Sequence, residues 1–299
     1  MSSVSSRPPD EVDIVISNAE RSNWETAIVW LRSRADQADV VIAGYYDDPL
    51  LDAAQRYEAS EEWAAVRKLL PRAAGARALE VGAGRGIASF ALARAGFSVT
   101  ALEPDGSEIV GAQAIRHLAA EAKLRIDVVQ EYSEALPFAA GEFDLVFGRA
   151  VLHHTRSLHG ACSEFFRVLK PGGRLIAIRE HVITRSQDLA AFLDSHPLHR
   201  HYGGENAFLL REYRDAIRGA GFHLQTLLSP FDSAINLAPS TPSSILQQLA
   251  DRASAGHPAL RRLLSIASSM PGSWALVRRL LRMVDNRPGR LYSFVALKP

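Results

Sequence analysis

Ala78-Leu79-Glu80-Val81-Gly82-Ala83-Gly84-Arg85-Gly86 reads as a short apolar strand running into a glycine turn. Helical residues follow, then a second apolar run at 98–102 and a carboxylate, Glu103, at its end. Glycines let the backbone approach a ligand, the helix N-terminus offers amide donors, and an acid after the second strand suits a ribose with two hydroxyls. This is a nucleoside-cofactor pattern. Its spacing is G-x-G-x-G, and a dinucleotide site wants its third glycine where Ile87 stands. Glu80, two residues before the first glycine, would repel a pyrophosphate. The same carboxylate would welcome a cationic ligand carrying an ammonium and a sulfonium.

Outward from the turn, short β-like runs at 77–81, 98–102, 125–129, 143–147 and 174–178 alternate with helical stretches at 87–95, 107–120 and 159–169. Continuous apolar strands between helices predict a parallel sheet covered on both faces. A helix at 209–220 and strands at 223–228 and 291–297 complete it. The last two strands flank an insertion at 231–289, first Ser/Pro-rich and then helical and basic. Ahead of the sheet, residues 11–70 predict a helical cap, with Trp24, Ile28 and Leu31 on one face and Trp63, Val66 and Leu70 on another. Residues 1–10, Ser/Pro-rich, predict disorder.

The 299 residues are 47% hydrophobic and 22% charged, as in ordinary globular proteins. A net charge of +1 offers no reason to expect a nucleic-acid partner. The single Cys162 excludes an intramolecular disulfide framework and fits a reducing compartment. With no apolar run approaching eighteen residues, the expectation is a cytoplasmic protein.

Several motifs in order resemble the class I S-adenosylmethionine-dependent methyltransferases, in particular the small-molecule family, from about Leu79 to Phe222. Glu80 to Gly86 is similar to the loop under the methionine part of that cofactor, so the resemblance assigns Glu80, Gly82, Gly84 and Gly86 to it. Glu103 matches the acid that holds both ribose hydroxyls, with Asp105 at the adenine edge. Glu134-Ala135-Leu136-Pro137-Phe138 resembles the segment closing the adenine pocket; Ser133 and Glu134 are its candidate contacts. Where the family often carries an Asp toward the adenine amine, this chain has Tyr132 and Ser133. The segment 143–154, Leu169-Lys170-Pro171-Gly172-Gly173 and Ala220-Gly221-Phe222 resemble the fourth strand with its loop and the turns before strands five and six. The implied fold is a Rossmann-like α/β sheet of seven mostly parallel strands within 71–299. S-adenosylmethionine is the expected cofactor.

Methyl transfer from a sulfonium is an in-line displacement that needs a base only when the acceptor must lose a proton. Seven of the ten histidines fall between residues 153 and 201, on loops where ligands bind in open sheets. His154, then His153, are the candidate bases. The alternative is a histidine that only packs against the next helix. His181, His196, His199, His201, Glu205 and Asn206 are candidate acceptor contacts. Three histidines and Glu205 satisfy the ligand types of a divalent metal, but no spacing matches a defined motif, so no metal ligand is assigned. Arg149 could meet the methionine carboxylate or an anionic acceptor, or form a surface salt bridge. Tyr45, Tyr46 and Tyr57 could make a lid or simply pack the cap.

The expected reaction is O-methylation of a small molecule or saccharide. The loop Gly148-Arg149-Ala150-Val151 lacks the Asn/Asp-Pro-Pro-aromatic pattern of enzymes that methylate nucleic-acid amines. The alternative is a non-catalytic cofactor-binding module in a biosynthetic complex. The arginine-rich amphipathic stretch at 259–282 is a candidate for peripheral membrane contact.

Overall fold

The computed structural model describes residues 24–195, 198, 199, 202, 205–254, 257, 262, 266, 270 and 272–299. The expectations for residues 1–10 and for His196 and His201 lie outside them. The cap comprises α1 (Trp24–Arg32), α2 (Ala38–Ala43), α3 (Leu50–Glu58) and α4 (Glu61–Arg67). Ile28 and Leu31 of α1 are buried against Val110 and Leu198, while Trp63 and Val66 of α4 join the main core. Both predicted apolar faces therefore pack.

The sheet region runs β1 (Arg77–Val81), α5 (Ile87–Arg94), β2 (Ser98–Leu102), α6 (Ala112–Ala122), β3 (Ile126–Val129), β4 (Phe143–Arg149), α7 (Leu158–Val168) and β5 (Leu169–Ile183). It continues through α8 (Asp188–Asp194), β6 (Phe208–Leu209), α9 (Leu210–Gly219), β7 (His223–Leu228), α10 (Ala234–Leu237), α11 (Pro242–Ser254), α12 (Ser273–Val284) and β8 (Gly289–Leu297). The strand order is β3-β2-β1-β4-β5-β8-β7, with the two-residue β6 paired to β5. β1 to β6 pair in parallel, and only β8 runs antiparallel to its neighbours β5 and β7. The short β6 is the one strand beyond the seven expected. Apolar clusters cover both faces, with Leu92, Phe97 and Trp63 on one and Phe165, Tyr213 and Phe222 on the other. Cys162 of α7 is fully buried there. The order reverses between β1 and β4, and the crevice at that switch point is where open α/β sheets bind ligands.

Three departures from the predicted elements bear on that crevice. The helix expected from 107 begins only at Ala112, because Asp105 Oδ1 accepts the Ser107 N–H (2.8 Å) and Ser107 Oγ the Val110 N–H (3.0 Å). β5 extends to Ile183 through a bulge: Ala177 pairs with Phe294, and three residues later Glu180 pairs with Tyr292. Arg179 in the bulge has φ +60°. The extra residue re-aims the strand, as bulges beside functional sites commonly do. Finally, the insertion is anchored at its start. Ile235 of α10 is buried in the main core, and Asn236 bonds to the Leu228 and Ser229 carbonyls and accepts the Ser293 hydroxyl. By contrast α12 buries no residue; Leu276, Leu280, Met283 and Val284 are exposed.

Candidate active site

A cavity of about 1130 Å³ opens across the C-terminal ends of β1, β2, β4 and β5. At one end lies the glycine turn. Gly82, Gly84 and Gly86 have φ of +57°, +53° and +81°, a region that costs any residue with a Cβ. Their neighbours differ. A Cβ on Gly82 would meet the Val151 methyls at 2.8 Å, and one on Gly86 would meet Ile115 at 3.1 Å. A Cβ on Gly84 would meet nothing within 4 Å, so the backbone there faces open cavity. Gly82 and Gly84 line that cavity, whereas Gly86 starts α5 and packs toward α6.

Glu103, at the end of β2, accepts the Gly84 N–H on Oε2 (2.7 Å) and the Asp105 N–H on Oε1 (2.9 Å). Each carboxylate oxygen has a second lone pair, so the group is oriented by backbone yet can still accept two more hydrogen bonds. That matches a vicinal diol. Glu80, at the end of β1, accepts the Ser89 hydroxyl and is almost fully buried. Burial pushes its carboxyl up to about 8, with Ser89 opposing and Glu103 adding to the rise. Burial likewise pushes Glu103 up to about 7 against its two N–H donors. Two partly neutralised buried acids on one cavity wall suit a ligand that brings positive charge. Asp105, Ser133 and Glu134 also line the cavity, and Glu134 holds the Arg156 N–H (2.7 Å) and the Ser133 hydroxyl (3.1 Å).

The cap closes one side. Arg85, inside the glycine turn, donates to the Tyr45 carbonyl (2.9 Å) and the Asp47 carbonyl (2.8 Å) and pairs with Asp48. Tyr45 and Tyr46 line the cavity. Tyr57 does not; it is fully buried in the core against Tyr45 and Trp63. Arg149 lines the cavity but donates through Nε and Nη2 to Glu62 of α4 (2.7 and 3.1 Å). It forms neither of the expected alternatives alone, because a surface salt bridge is replaced by a buried one. Burial would raise the Glu62 carboxyl, yet Arg149 and Arg179 hold it below the usual carboxylate range. Glu62 and Arg179 escaped the sequence reading, since a single Glu in a cap helix carries no positional signal.

At the other end of the cavity the histidines converge. His153 and His154 lie in a short turn after β4, His181 at the far end of β5, His199 and Glu205 before β6. The Nε2 atoms of His153, His154, His181 and His199 lie 3.5, 4.0, 3.9 and 3.8 Å from Glu205 oxygens. Behind them Glu180 accepts the Val151 N–H (3.1 Å) on one oxygen, and the His153 N–H (3.2 Å) and its ring Nδ1–H (2.8 Å) on the other. Those backbone donors make Glu180 an acceptor, which assigns the Nδ1–H tautomer to His153 and leaves its Nε2 lone pair toward Glu205. Burial, with other histidines adding to it, drives the His153 and His181 pKa values well below the ordinary imidazole range. Burial and the nearby Glu180 push Glu205 up to about 8. Asn206, expected beside Glu205, is half-buried and outside the cavity lining, as chain neighbours approaching a strand point to different sides.

The methyltransferase domain family matches residues 79–177. Those residues are a methyltransferase domain of the class I, S-adenosylmethionine-dependent type. Malonyl-acyl-carrier-protein O-methyltransferase of Enterobacter lignolyticus is 32% identical over 173 residues, 56% of this chain and 63% of that relative. The methyltransferase domain also superposes within two solved folds. Geranyl diphosphate C-methyltransferase of Streptomyces coelicolor, crystallised with Mg²⁺, geranyl diphosphate and S-adenosylhomocysteine, gives a TM-score of 0.55 at 16% identity over 85% of each chain. The 4+2 cyclase SpnF gives 0.53 at 20% identity, over 83% of this chain and 81% of that one. Both likenesses concern the fold. No described helix is long and apolar enough to cross a membrane.

Proposed function

We propose that this chain transfers a methyl group from S-adenosylmethionine to a hydroxyl of a small molecule or saccharide. The observation that carries the reading is one cavity with an oriented diol acceptor, Glu103, at one end and a histidine cluster at the other. S-adenosylmethionine, when bound, supplies the electrophilic methyl of a sulfonium. Glu103 would hold the ribose hydroxyls, Glu80 would neutralise the ammonium, and the open face of Gly84 would admit the chain between them. Ser133, Glu134 and Asp105 would border the adenine, while Arg149, already oriented by Glu62, would face the carboxylate. Tyr45, clamped through Arg85, and Tyr46, held at its carbonyl by Arg32, would exclude water. His154, whose side chain is about one-third exposed (30%), is the proposed base, with the buried His153 second. His181, His199 and Glu205 would contact the acceptor.

A hydroxyl acceptor is favoured because neutral imidazoles suit its deprotonation. The test is S-adenosylhomocysteine release with phenol, polyol and saccharide acceptors. His154→Ala should lower turnover about 100-fold, the low end for a general base, with cofactor affinity unchanged. Tight cofactor binding with no turnover on any hydroxyl class would sink the reading and favour a binding module.

A further inference from the structure

The donor set around Glu205 is poorly explained by hydrogen bonding. Its Oε1 is buried and accepts no hydrogen bond among the described residues, while the side chain is only 6% exposed. Yet the nearest imidazole nitrogens stand 3.5 and 3.9 Å from that atom, too far for good hydrogen bonds. Ligands each about 2.1 Å from a shared tetrahedral ion are about 3.4 Å apart. One donor atom from each of His153, His181 and Glu205 all fall within 4.8 Å of one another. His153 also carries the outer partner that metal-bound histidines usually have, since its far nitrogen donates to the buried Glu180. Phe192 packs against the rings of both His181 and His199, giving the cluster an apolar wall.

We propose that His153, His181 and Glu205 form a binding site for a divalent first-row transition ion, with His199 and His154 at its rim and an open position toward the cavity. Imidazole and carboxylate donors favour Zn²⁺, Fe²⁺ or Co²⁺ over Mg²⁺, which prefers oxygen. The site's existence stands independently of methyl transfer; its role rests on that reading. The ion would hold the acceptor hydroxyl and lower its pKa, so that its proton passes to His154 and the alkoxide oxygen attacks the methyl as the methyl–sulfur bond breaks and its electron pair leaves with S-adenosylhomocysteine. His153 would then be a ligand and not a base.

Co²⁺ titration of the chelator-treated full chain, read by visible absorption, tests the site. One equivalent should bind, Zn²⁺ should displace it, and Glu205→Gln and His181→Ala should each weaken it at least 10-fold. Glu180→Gln should weaken it 10- to 100-fold, as loss of an outer partner does. Cofactor affinity, measured by calorimetry on the same samples, reports that the variants are folded. No saturable Co²⁺ or Zn²⁺ binding by the wild type, or binding unchanged in both ligand variants, overturns the site. Full turnover after chelation overturns its role alone. Failure of S-adenosylmethionine to bind overturns the methyl-transfer reading while leaving the Co²⁺ result intact.

Discussion

Gly82 and Gly84 share a left-handed backbone but face different neighbours, and alanine at each should separate folding from binding. At Gly84 the cost to stability is the backbone term alone, about 1–2 kcal/mol, while the new methyl enters the cavity. Gly84→Ala should therefore weaken S-adenosylmethionine at least 10-fold by calorimetry and melt only slightly lower. Gly82→Ala drives a methyl into Val151, so its urea midpoint should fall well below that of Gly84→Ala. Glu80 supplies a pH signature. Its carboxyl is raised to about 8 in the folded chain, above its unfolded value near 4.5. The folded state thus holds the proton longer, and this stabilisation is complete below pH 4.5 and lost as pH rises through 8. Without cofactor, Glu80→Gln should gain stability on the wild type by at least about 1.4 kcal/mol between pH 5 and 8, one pK unit's worth. Unfolding midpoints of both proteins across that range decide it. A flat difference would mean that Glu80 is charged throughout. The types of Glu80, Gly82, Gly84 and Glu103 were legible in the sequence because their spacing is local: strand, turn, helix, strand, acid. Glu62, Arg179 and Glu180 were not, since what ties them to the cavity wall is a partner 27 to 117 positions away in the chain.

At the scale of elements, α4 is the strut that joins the cap to the site. Glu62 is fully buried and pairs with Arg149, with Arg179 3.9 Å away. Removing one partner of a buried pair strands the other's charge and costs about 3–5 kcal/mol. Glu62→Ala should lower the unfolding free energy extrapolated from urea melts by that amount, and the cavity wall should loosen with it. The bulge in β5 is the second such device. Tyr45, Ala150 and Arg179, three of the four non-glycine residues with positive φ among the described residues, all line the cavity, the clustering expected where packing holds a strained backbone for function. The repeating elements themselves were readable from periodicity. The bulge was not, because no residue at 177–180 announces it, and register is decided only when β8 pairs alongside. The start of α6 shows the same limit. Asp105 and Ser107 tie up amides that the apolar pattern would have given to a helix.

For the whole molecule, α12 stands out as a described helix that buries none of its residues. Leu276, Leu280, Met283 and Val284 recur on one exposed stripe, while Arg278 and Arg282 reach Asp232. The stripe lies at the end of the 259–282 stretch proposed for membrane contact and extends to Val284. Liposomes rich in anionic lipid should co-sediment the wild-type chain, and Leu280→Glu with Met283→Glu should abolish this without moving cofactor affinity. Equal sedimentation of both proteins would show that the stripe is not the contact. The amino-acid sequence by itself determined the sheet, its helical covering and the kind of cofactor, because apolar period and glycine spacing are properties of contiguous residues. Only the tertiary structure decided which histidines come together. Their donors come from the turn after β4, the end of β5 and the approach to β6, and nothing in their linear spacing brings them to one carboxylate. Folding the β5 bulge over that turn does, by placing Glu180 behind His153 and His181 beside Glu205.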